Sequence, residues 1–354
     1  MTASVSSPAR GTAGKAPDRA VRARPWVAAW LLATAGMVAA MVVIGGITRL
    51  TESGLSMVEW RPLMGWIPPL GDAEWERVFG LYRQTPEFKL HNAWMTLADF
   101  KTIFFWEYLH RVWGRLIGVV FALPFLAFLL TGRIERTMAP RLAALFLLGA
   151  IQGGIGWWMV TSGLADEPSV SAYRLATHLS MAVLILGVLL WTALDLLDPQ
   201  PAGAAPQLRH GATLVLTLVS LTILAGAFVA GTDAGYAYNT FPLMDGSFVP
   251  DGYWQSDLGI ASLFEWVPAV QFNHRWLAVG TALVTLGFVH WAVRKAPDGA
   301  RLPLRLLAVF VAVQVGLGIA TLLLVVPVWL GALHQAGAVL LFSAAVWARF
   351  SLRA

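Results

Sequence analysis

One apolar segment of this chain carries ionisable side chains that apolar segments normally exclude. Residues 104–130, FFWEYLHRVWGRLIGVVFALPFLAFLL, are long and apolar enough to cross a membrane as one helix. The first turns nevertheless contain Glu107, His110, Arg111 and Arg115. A charged side chain at the centre of a membrane helix costs about 2.5–3.5 kcal/mol, so such residues indicate a functional site. Together these side chains can transfer protons, ligate a metal ion and bind anions at one end of a helix.

The segment is part of an internal repeat that divides the chain into two halves. The His-Arg pair of EYLHRVWGRLIGVV is found again in VQFNHRWLAVGTALV, and three further pairs of segments match, one of them weakly. The matching segments are 107–120 with 270–284, 149–160 with 311–322, 174–191 with 331–347 and, weakly, 42–56 with 224–238. Each half contains four apolar spans, so the two halves share one orientation in the membrane.

Four of the seven histidines occupy matching positions in this repeat: His110, His178, His274 and His334. Each lies in the first turns of the second, fourth, sixth or eighth apolar span of the chain. These spans start from the same side of the membrane, so all four histidines are expected at one depth. Two imidazoles from two helices of a four-helix unit are typical of bis-histidine haem ligation. A single buried histidine would more often bond a backbone carbonyl, but four in register favour ligation. Zinc or copper is the alternative metal, although such sites normally use more ligands than a pair.

The repeat also reveals a difference between the halves. Glu107 lies three residues before His110 on the same helix face, and the matching position before His274 is Gln271. One half therefore has an ionisable group beside its metal site and the other has a neutral amide. This asymmetry predicts a reactive site in the N-terminal half and an electron-transfer or structural haem in the C-terminal half.

Three arginines are candidate partners for the anionic propionates of a haem. Arg111 and Arg275 directly follow their histidines, and Arg115 comes one turn after Arg111. Arginine binds carboxylates through two parallel hydrogen bonds. A salt bridge between Glu107 and Arg111 and ordinary packing of Arg115 at the helix end are the alternatives.

The composition limits the class of protein. The chain has 354 residues, of which 57% are hydrophobic and 13% charged, and its mean hydropathy is +0.65. These values predict an all-α, polytopic membrane protein in contact with the lipid bilayer. The absence of cysteine excludes disulfides, iron–sulfur clusters, thiolate zinc sites and c-type haem attachment. The net charge of +5 is interpreted as membrane topology, with no nucleic-acid partner.

Eight spans of about 20 residues are predicted, arranged as two pseudo-symmetric four-helix bundles. The predicted spans are 26–48, 105–130, 141–160, 174–197, 210–230, 268–292, 304–325 and 329–350. The halves cover residues 26–197 and 210–350, after an N-terminal tail of residues 1–25. Basic residues collect in the tail, the 131–141 and 293–305 loops and the C-terminus. This distribution predicts that both termini are cytoplasmic. An organelle transit peptide is the less favoured interpretation of the tail.

Two local signals mark helix ends. Thr96, with Asp99 three residues later, is expected to cap a short helix within residues 85–105. Pro327 in VVPVW is expected to provide the turn between the last two spans.

The sequence resembles a known family, the haem A synthases, which are cytochrome oxidase assembly proteins of bacteria and mitochondria. The resemblance extends over about residues 26–350. It rests on GGITRLTESGLSMVEWRPLMGWIPPL, TPEFKL, FFWEYLHRVWGRLIG, NTFPLMDG, VQFNHR and ALHQ. The cysteine-free loops are similar to the proteobacterial and mitochondrial branch.

The resemblance implies a reaction and a role for each site residue. The family oxidises the C8 methyl group of haem O to a formyl group, through two hydroxylations and loss of water. It implies that His110 and His178 face the haem O substrate, with Glu107 as the essential carboxylate. It further implies that His274 and His334 ligate a haem b cofactor.

The resemblance also implies a location and partners. The expected location is the bacterial inner membrane, or alternatively the mitochondrial inner membrane, with the haem sites near the periplasmic side. A homo-oligomer and contacts with haem O synthase or other oxidase assembly factors are expected. Two rival functions use the same histidines: a di-haem b membrane electron carrier and a haem transporter. The carrier would normally hold its haems at different depths, and the transporter would not need Glu107.

Overall fold

The computed structural model describes residues 19–60, 65–164, 169–198, 200 and 203–353. Within these residues the protein is helical and has no strand, which confirms the predicted all-α class. The α-helices are α1 Arg19–Leu50, α2 Asp72–Tyr82, α3 Leu97–Leu130, α4 Ala139–Leu164, α5 Ala172–Leu197, α6 Pro206–Gly231, α7 Ser262–Glu265, α8 Val267–Ala292, α9 Asp298–Leu323 and α10 Val328–Ser351.

The structure describes only the last part of the predicted N-terminal tail. Residues 19–25 form the first turns of α1, because their small and basic side chains continue the helical pattern of the apolar span. Residues 1–18, which make up the rest of the predicted tail, lie outside the described residues.

Seven of the described helices are long and apolar enough to cross a membrane, so the protein is a multi-pass membrane protein. They are α1, α3, α4, α5, α6, α9 and α10. Eight spans were predicted. The remaining one corresponds to α8, which has 26 residues but also carries Gln271, His274 and Arg275. It does not meet the same apolar criterion, so its membrane span stays a prediction.

The two ends of the helix array differ in charge and in loop length. At one end of the array the connections between helices are short. The N- and C-terminal parts of the described chain both contact these connections. Arg24 bonds Glu135 at 2.7 Å, and Arg353 bonds the Gln200 carbonyl at 2.7 Å. The opposite end carries the long connections 51–96 and 232–266. The basic loops therefore share one end, as the sequence predicts.

The Thr96 cap is present, but it begins a different helix from the one expected. The Thr96 hydroxyl accepts a bond from the Asp99 amide, and the Asp99 carboxylate accepts one from the Thr96 amide. This capping box starts α3 itself at Leu97, so Thr96 does not begin the short helix that was expected. A short helical segment is present before it, at Phe88–Asn92. Pro327 lies in the predicted turn between α9 and α10.

The two halves share one core rather than forming separate bundles. A continuous cluster of buried apolar side chains includes Val27 of α1, Leu186 of α5, Leu208 of α6 and Val346 of α10. These four helices occupy the centre of the molecule and carry most of the contacts between the halves. Each half therefore depends on the other for the burial of its central helices.

A smaller aromatic cluster covers the outer end of α3. Phe79 and Tyr82 of α2 pack against Phe100, Ile103 and Phe104, and the Met57 side chain joins them. The Tyr82 and Phe100 rings stack with centroids 5.2 Å apart. This packing fixes the long 51–96 connection over the turn of α3 that contains Glu107.

Candidate functional site

The four histidines selected from the repeat lie in two pairs, one in each half. His110 on α3 and His178 on α5 are close enough to interact electrostatically. His334 on α10 is within the same reach of His274 on α8. The fold therefore brings together the imidazoles that the repeat paired.

In the N-terminal half, a glycine of a neighbouring helix lies against each imidazole. A Cβ atom on Gly45 of α1 would lie 3.2 Å from Nε2 of His110. A Cβ atom on Gly156 of α4 would lie 2.9 Å from Cε1 of His178, which is closer than Cβ atoms normally approach. Glycine is required here because each ring packs directly onto backbone.

The C-terminal half repeats this arrangement. Cβ atoms on Gly226 of α6 and Gly318 of α9 would lie 3.1 and 2.9 Å from Cε1 of His274 and His334. The four pairs of glycine and histidine make the two sites equivalent in geometry. Each half thus places two imidazoles against helix backbone, and a pair of histidines is a ligand set that haem iron accepts.

A glutamine fixes the second histidine of each pair. The Gln152 Nε2 donates to the His178 carbonyl at 3.0 Å and lies 3.2 Å from Nδ1 of the same residue. Gln314 holds His334 in the same way, at 2.9 and 3.2 Å. The amide lies nearest to Nδ1 of each ring and helps to fix the orientation of the imidazole.

Glu107 is buried, with 2% of its surface exposed, and it is held by hydrogen-bond donors. Its Oε2 accepts from the Ser56 hydroxyl at 2.7 Å and from the Met57 amide at 2.6 Å. Its Oε1 pairs with the Arg111 guanidinium at 2.5 Å. Three donors therefore stabilise a carboxylate one turn before His110.

Arg111 binds the same loop through its remaining donors. Its Nη1 donates to the Glu59 carbonyl at 2.9 Å, and its Nη2 donates to the Met57 carbonyl at 2.7 Å. Glu107 and Arg111 together hold residues 56–59 against α3. The salt bridge that the sequence left as an alternative is thus present, and Arg111 uses its donors on protein acceptors.

The equivalent pair in the second half is Gln271 and Arg275. The Gln271 Nε2 donates to the carbonyls of Ala234 and Ala237, and its Oε1 accepts from Arg275 at 3.1 Å. Arg275 also donates to the Tyr238 carbonyl at 3.0 Å, as Arg111 does to Met57. Glu107 and Gln271 therefore each hold a loop against their own helix. Glu107 accepts hydrogen bonds from its loop, whereas Gln271 donates hydrogen bonds to its loop.

Arg115 has a different environment from the other two arginines. Its guanidinium lies 5.9 Å from the centre of the Trp66 ring, over the aromatic face. Arg115 therefore packs on an aromatic ring, whereas Arg111 and Arg275 donate to loop carbonyls.

The remaining histidines lie outside the two pairs. His91, His210 and His290 are all exposed. Among the described residues, no group of three or more histidine, aspartate or glutamate side chains is arranged to hold a metal ion.

Sequence reasoning did not identify the residues that support the site. Gln152 and Gln314 lie in matching segments of the repeat, but the sequence alone assigned them no role. Their signal was present, because each recurs at the matching place in both halves. The contact of Ser56 with Glu107 had no such signal, since the matching residue, Ala237, contributes its carbonyl instead.

Comparison with known proteins gives consistent matches. Residues 28–346 match the family model described as cytochrome oxidase assembly protein. A protein named "Heme A synthase" from Rhodospirillum centenum is 52% identical over 100% of this chain and 94% of its own length. Proteins of the same name from Paramagnetospirillum magneticum and Nitrosospira multiformis are 52% and 48% identical, each over 92% of this chain and 93% of the relative.

Proposed function

Because this chain belongs to the cytochrome oxidase assembly protein family, we propose that it is a haem A synthase. Its substrate is haem O, and the reaction oxidises the C8 methyl group of the porphyrin to a formyl group. The product, haem A, serves the assembly of cytochrome oxidase. The observation that carries the proposal for the site is the presence of two equivalent histidine pairs that differ in one ionisable residue, Glu107.

We assign the substrate to the N-terminal half. His110 and His178 face haem O, and Gly45 and Gly156 leave room for the rings beside the backbone. Glu107 lies one turn from His110 and accepts hydrogen bonds from Ser56, Met57 and Arg111. It is placed to stabilise positive charge at the methyl group or to accept a proton as that group is oxidised.

We assign the cofactor, haem b, to the C-terminal half. His274 and His334 would hold it through their imidazoles, and Gly226 and Gly318 provide the same close backbone approach. Haem b would supply one-electron redox chemistry at this position. Gln271 is neutral, so this half lacks an acid equivalent to Glu107.

Arg111 and Arg275 support the sites by holding the covering loops in place. Propionate binding by Arg111, Arg115 and Arg275 stays a proposal, supported by the position of each arginine within two turns of a histidine of its half.

The relatives and the helix array support a place in the bacterial inner membrane. We propose that the basic end, with both termini, is cytoplasmic, since positive loops are retained on that side. The long loops and the haem sites then lie near the periplasmic side. A homo-oligomer and contacts with haem O synthase or other assembly factors are part of the same proposal.

The direct test is to express the chain with a source of haem O and identify the extracted haems by mass and by pyridine haemochrome spectrum. A formyl-bearing haem together with haem b is the expected result. Haem b alone, at two per chain and with haem O unconverted, would instead identify an electron carrier. Unaltered haem O carried by the protein would identify a transporter.

The role of Glu107 is tested by Glu107→Gln, which copies the second half. We expect haem b to stay bound and the formyl product to be lost. Glu76→Gln, at an exposed acid on α2, is the matched control and should form haem A normally. Normal haem A formation by Glu107→Gln would contradict the assignment.

A further inference from the structure

A second buried acid lies close to the substrate site. Glu87, in the connection between α2 and α3, has 6% of its surface exposed. Its Oε2 is buried and has no hydrogen-bond partner among the residues that the structure describes. A buried carboxylate without full hydrogen bonding is costly, so a connection that only joined two helices would not need one.

The groups around Glu87 come from three elements. Tyr82 of α2 interacts with the carboxylate through its hydroxyl, which also accepts a bond from the Asn92 side chain at 2.8 Å. Glu107 of α3 is within electrostatic reach, as are Arg49 and Glu52 at the outer end of α1.

These surroundings adjust the acidity of Glu87. Burial raises the pKa of Glu87 to about 7, the Tyr82 hydroxyl opposes that shift, and the negative charge of Glu107 adds to it. Glu87 lies outside the long apolar helices, and it changes charge near neutral pH.

Glu87 and Glu107 are joined by shared packing. The Met57 amide bonds Glu107, and the Met57 side chain packs in the cluster that contains Tyr82. Because Glu107 is only 2% exposed, a proton that leaves it passes to a neighbouring group before it reaches bulk water.

We propose that Glu87 is a positioning residue that receives the proton released by Glu107 and passes it to the solution at the long-loop end. The inference rests on the proposed function, in which Glu107 accepts a proton as the methyl group is oxidised and must lose that proton before the next turnover. The step is an acid–base exchange. The O–H bond of Glu107 breaks, an O–H bond forms on Glu87, and no electron moves.

The test measures haem A formation against pH in membranes that contain the wild type, Glu87→Gln and the control Glu76→Gln. We expect the wild type and the control to become faster as the pH rises through about 7, where Glu87 becomes able to accept a proton. Glu87→Gln should lack this rise and be slower, on the order of 100-fold at alkaline pH. It should still bind haem b, which serves as the control for folding.

Two further variants keep the test decisive if Glu87→Gln folds poorly. Tyr82→Phe removes the hydroxyl that lowers the pKa of Glu87, so the rise in rate should move to higher pH. Glu87→Asp retains an acid and should keep a pH-dependent rate. Unchanged profiles in both Glu87→Gln and Tyr82→Phe would overturn the proposal.

An infrared pH titration gives a readout that does not depend on turnover. The wild type should show a carboxylic acid band that disappears near pH 7 and is missing in Glu87→Gln. Absence of that band in the wild type would overturn the proposal while the haem A synthase activity stands. A wild type that forms no haem A would defeat the proposed function itself, and this step with it.

Discussion

At the scale of single residues, the two sites differ in the hydrogen-bonding groups that the covering loop offers to the side chain. The Glu107 Oε2 meets two donors, the Ser56 hydroxyl and the Met57 amide. Gln271 meets two carbonyl oxygens, for which it must donate. A carboxylate only accepts hydrogen bonds and an amide does both, so the polarity of each loop selects its residue.

This match predicts the effect of Gln271→Glu. The new carboxylate would face the carbonyl oxygens of Ala234 and Ala237 and would lose both bonds. We expect the variant to be less stable by about 1–3 kcal/mol, measured by thermal unfolding in detergent.

The matched control is Gln84→Glu, at an exposed residue that also donates to a backbone carbonyl, 3.2 Å away. It should change stability little, because water can replace the lost bond. Equal stability of the two variants would show that Gln271 does not depend on its donor group.

At the scale of helices, each histidine is positioned by an adjoining helix that offers a glycine. His178 lies against α4 at Gly156, and His334 lies against α9 at Gly318, with the same Cβ distance of 2.9 Å. The adjoining helix also contributes the glutamine that bonds the histidine carbonyl. A glutamine and a glycine four residues apart on one helix face therefore form the wall of each pocket.

Substitution of these glycines should affect one half at a time. In Gly156→Ala the new methyl group would push the His178 ring away, so haem binding in the N-terminal half should weaken. Gly318→Ala should instead reduce haem b. We expect a cost of about 1–3 kcal/mol, which is roughly 5- to 150-fold in affinity, measured as haem per chain by absorbance.

Gly149→Ala is the control on α4, because nothing lies within 4 Å of its Cβ position. It should bind haem as the wild type does. If Gly156→Ala and Gly149→Ala bind equally, the close approach of His178 to α4 is not needed for binding.

At the scale of the whole molecule, α1 is shared by both sites. Gly45 lies against His110 of its own half. The next residue, Gly46, lies against Gln335, which follows His334 on α10 and donates to the Val42 carbonyl at 2.9 Å. At the outer end, Arg49 pairs with Asp233 of the other half at 2.7 Å. One helix therefore sets the positions of both halves.

Gly46→Ala should loosen this junction. A Cβ atom there would lie 1.7 Å from Oε1 of Gln335, so the glutamine must move and lose its bond to Val42. We expect a loss of about 1–3 kcal/mol in the free energy of unfolding, measured by thermal unfolding.

Gly36→Ala is the control on the same helix, because nothing lies within 4 Å of its Cβ position. Alanine favours helix by up to about 1 kcal/mol, so this variant should be neutral or more stable. Equal loss in the two variants would show that the contact between Gly46 and Gln335 does not hold the halves together.

The sequence by itself determined the helical membrane class, the positions of the long helices and the pairing of the four histidines. These features depend on apolar length and on an internal repeat, both of which can be read along the chain. It also predicted the Thr96 cap and the turn at Pro327, because these are local interactions. The start of α3 at Leu97 was missed, since the helix continues past the apolar span into residues covered by α2.

Only the tertiary structure decided what the arginines and the loops do. Arg111 and Arg275 bond carbonyls more than 30 residues away in the chain, and no local pattern gives those acceptors. The same holds for the shared core of α1, α5, α6 and α10, and for the burial of Glu87. The apolar periodicity of a helix indicates which of its faces is buried. The helix that packs on that face depends on how all the helices pack together.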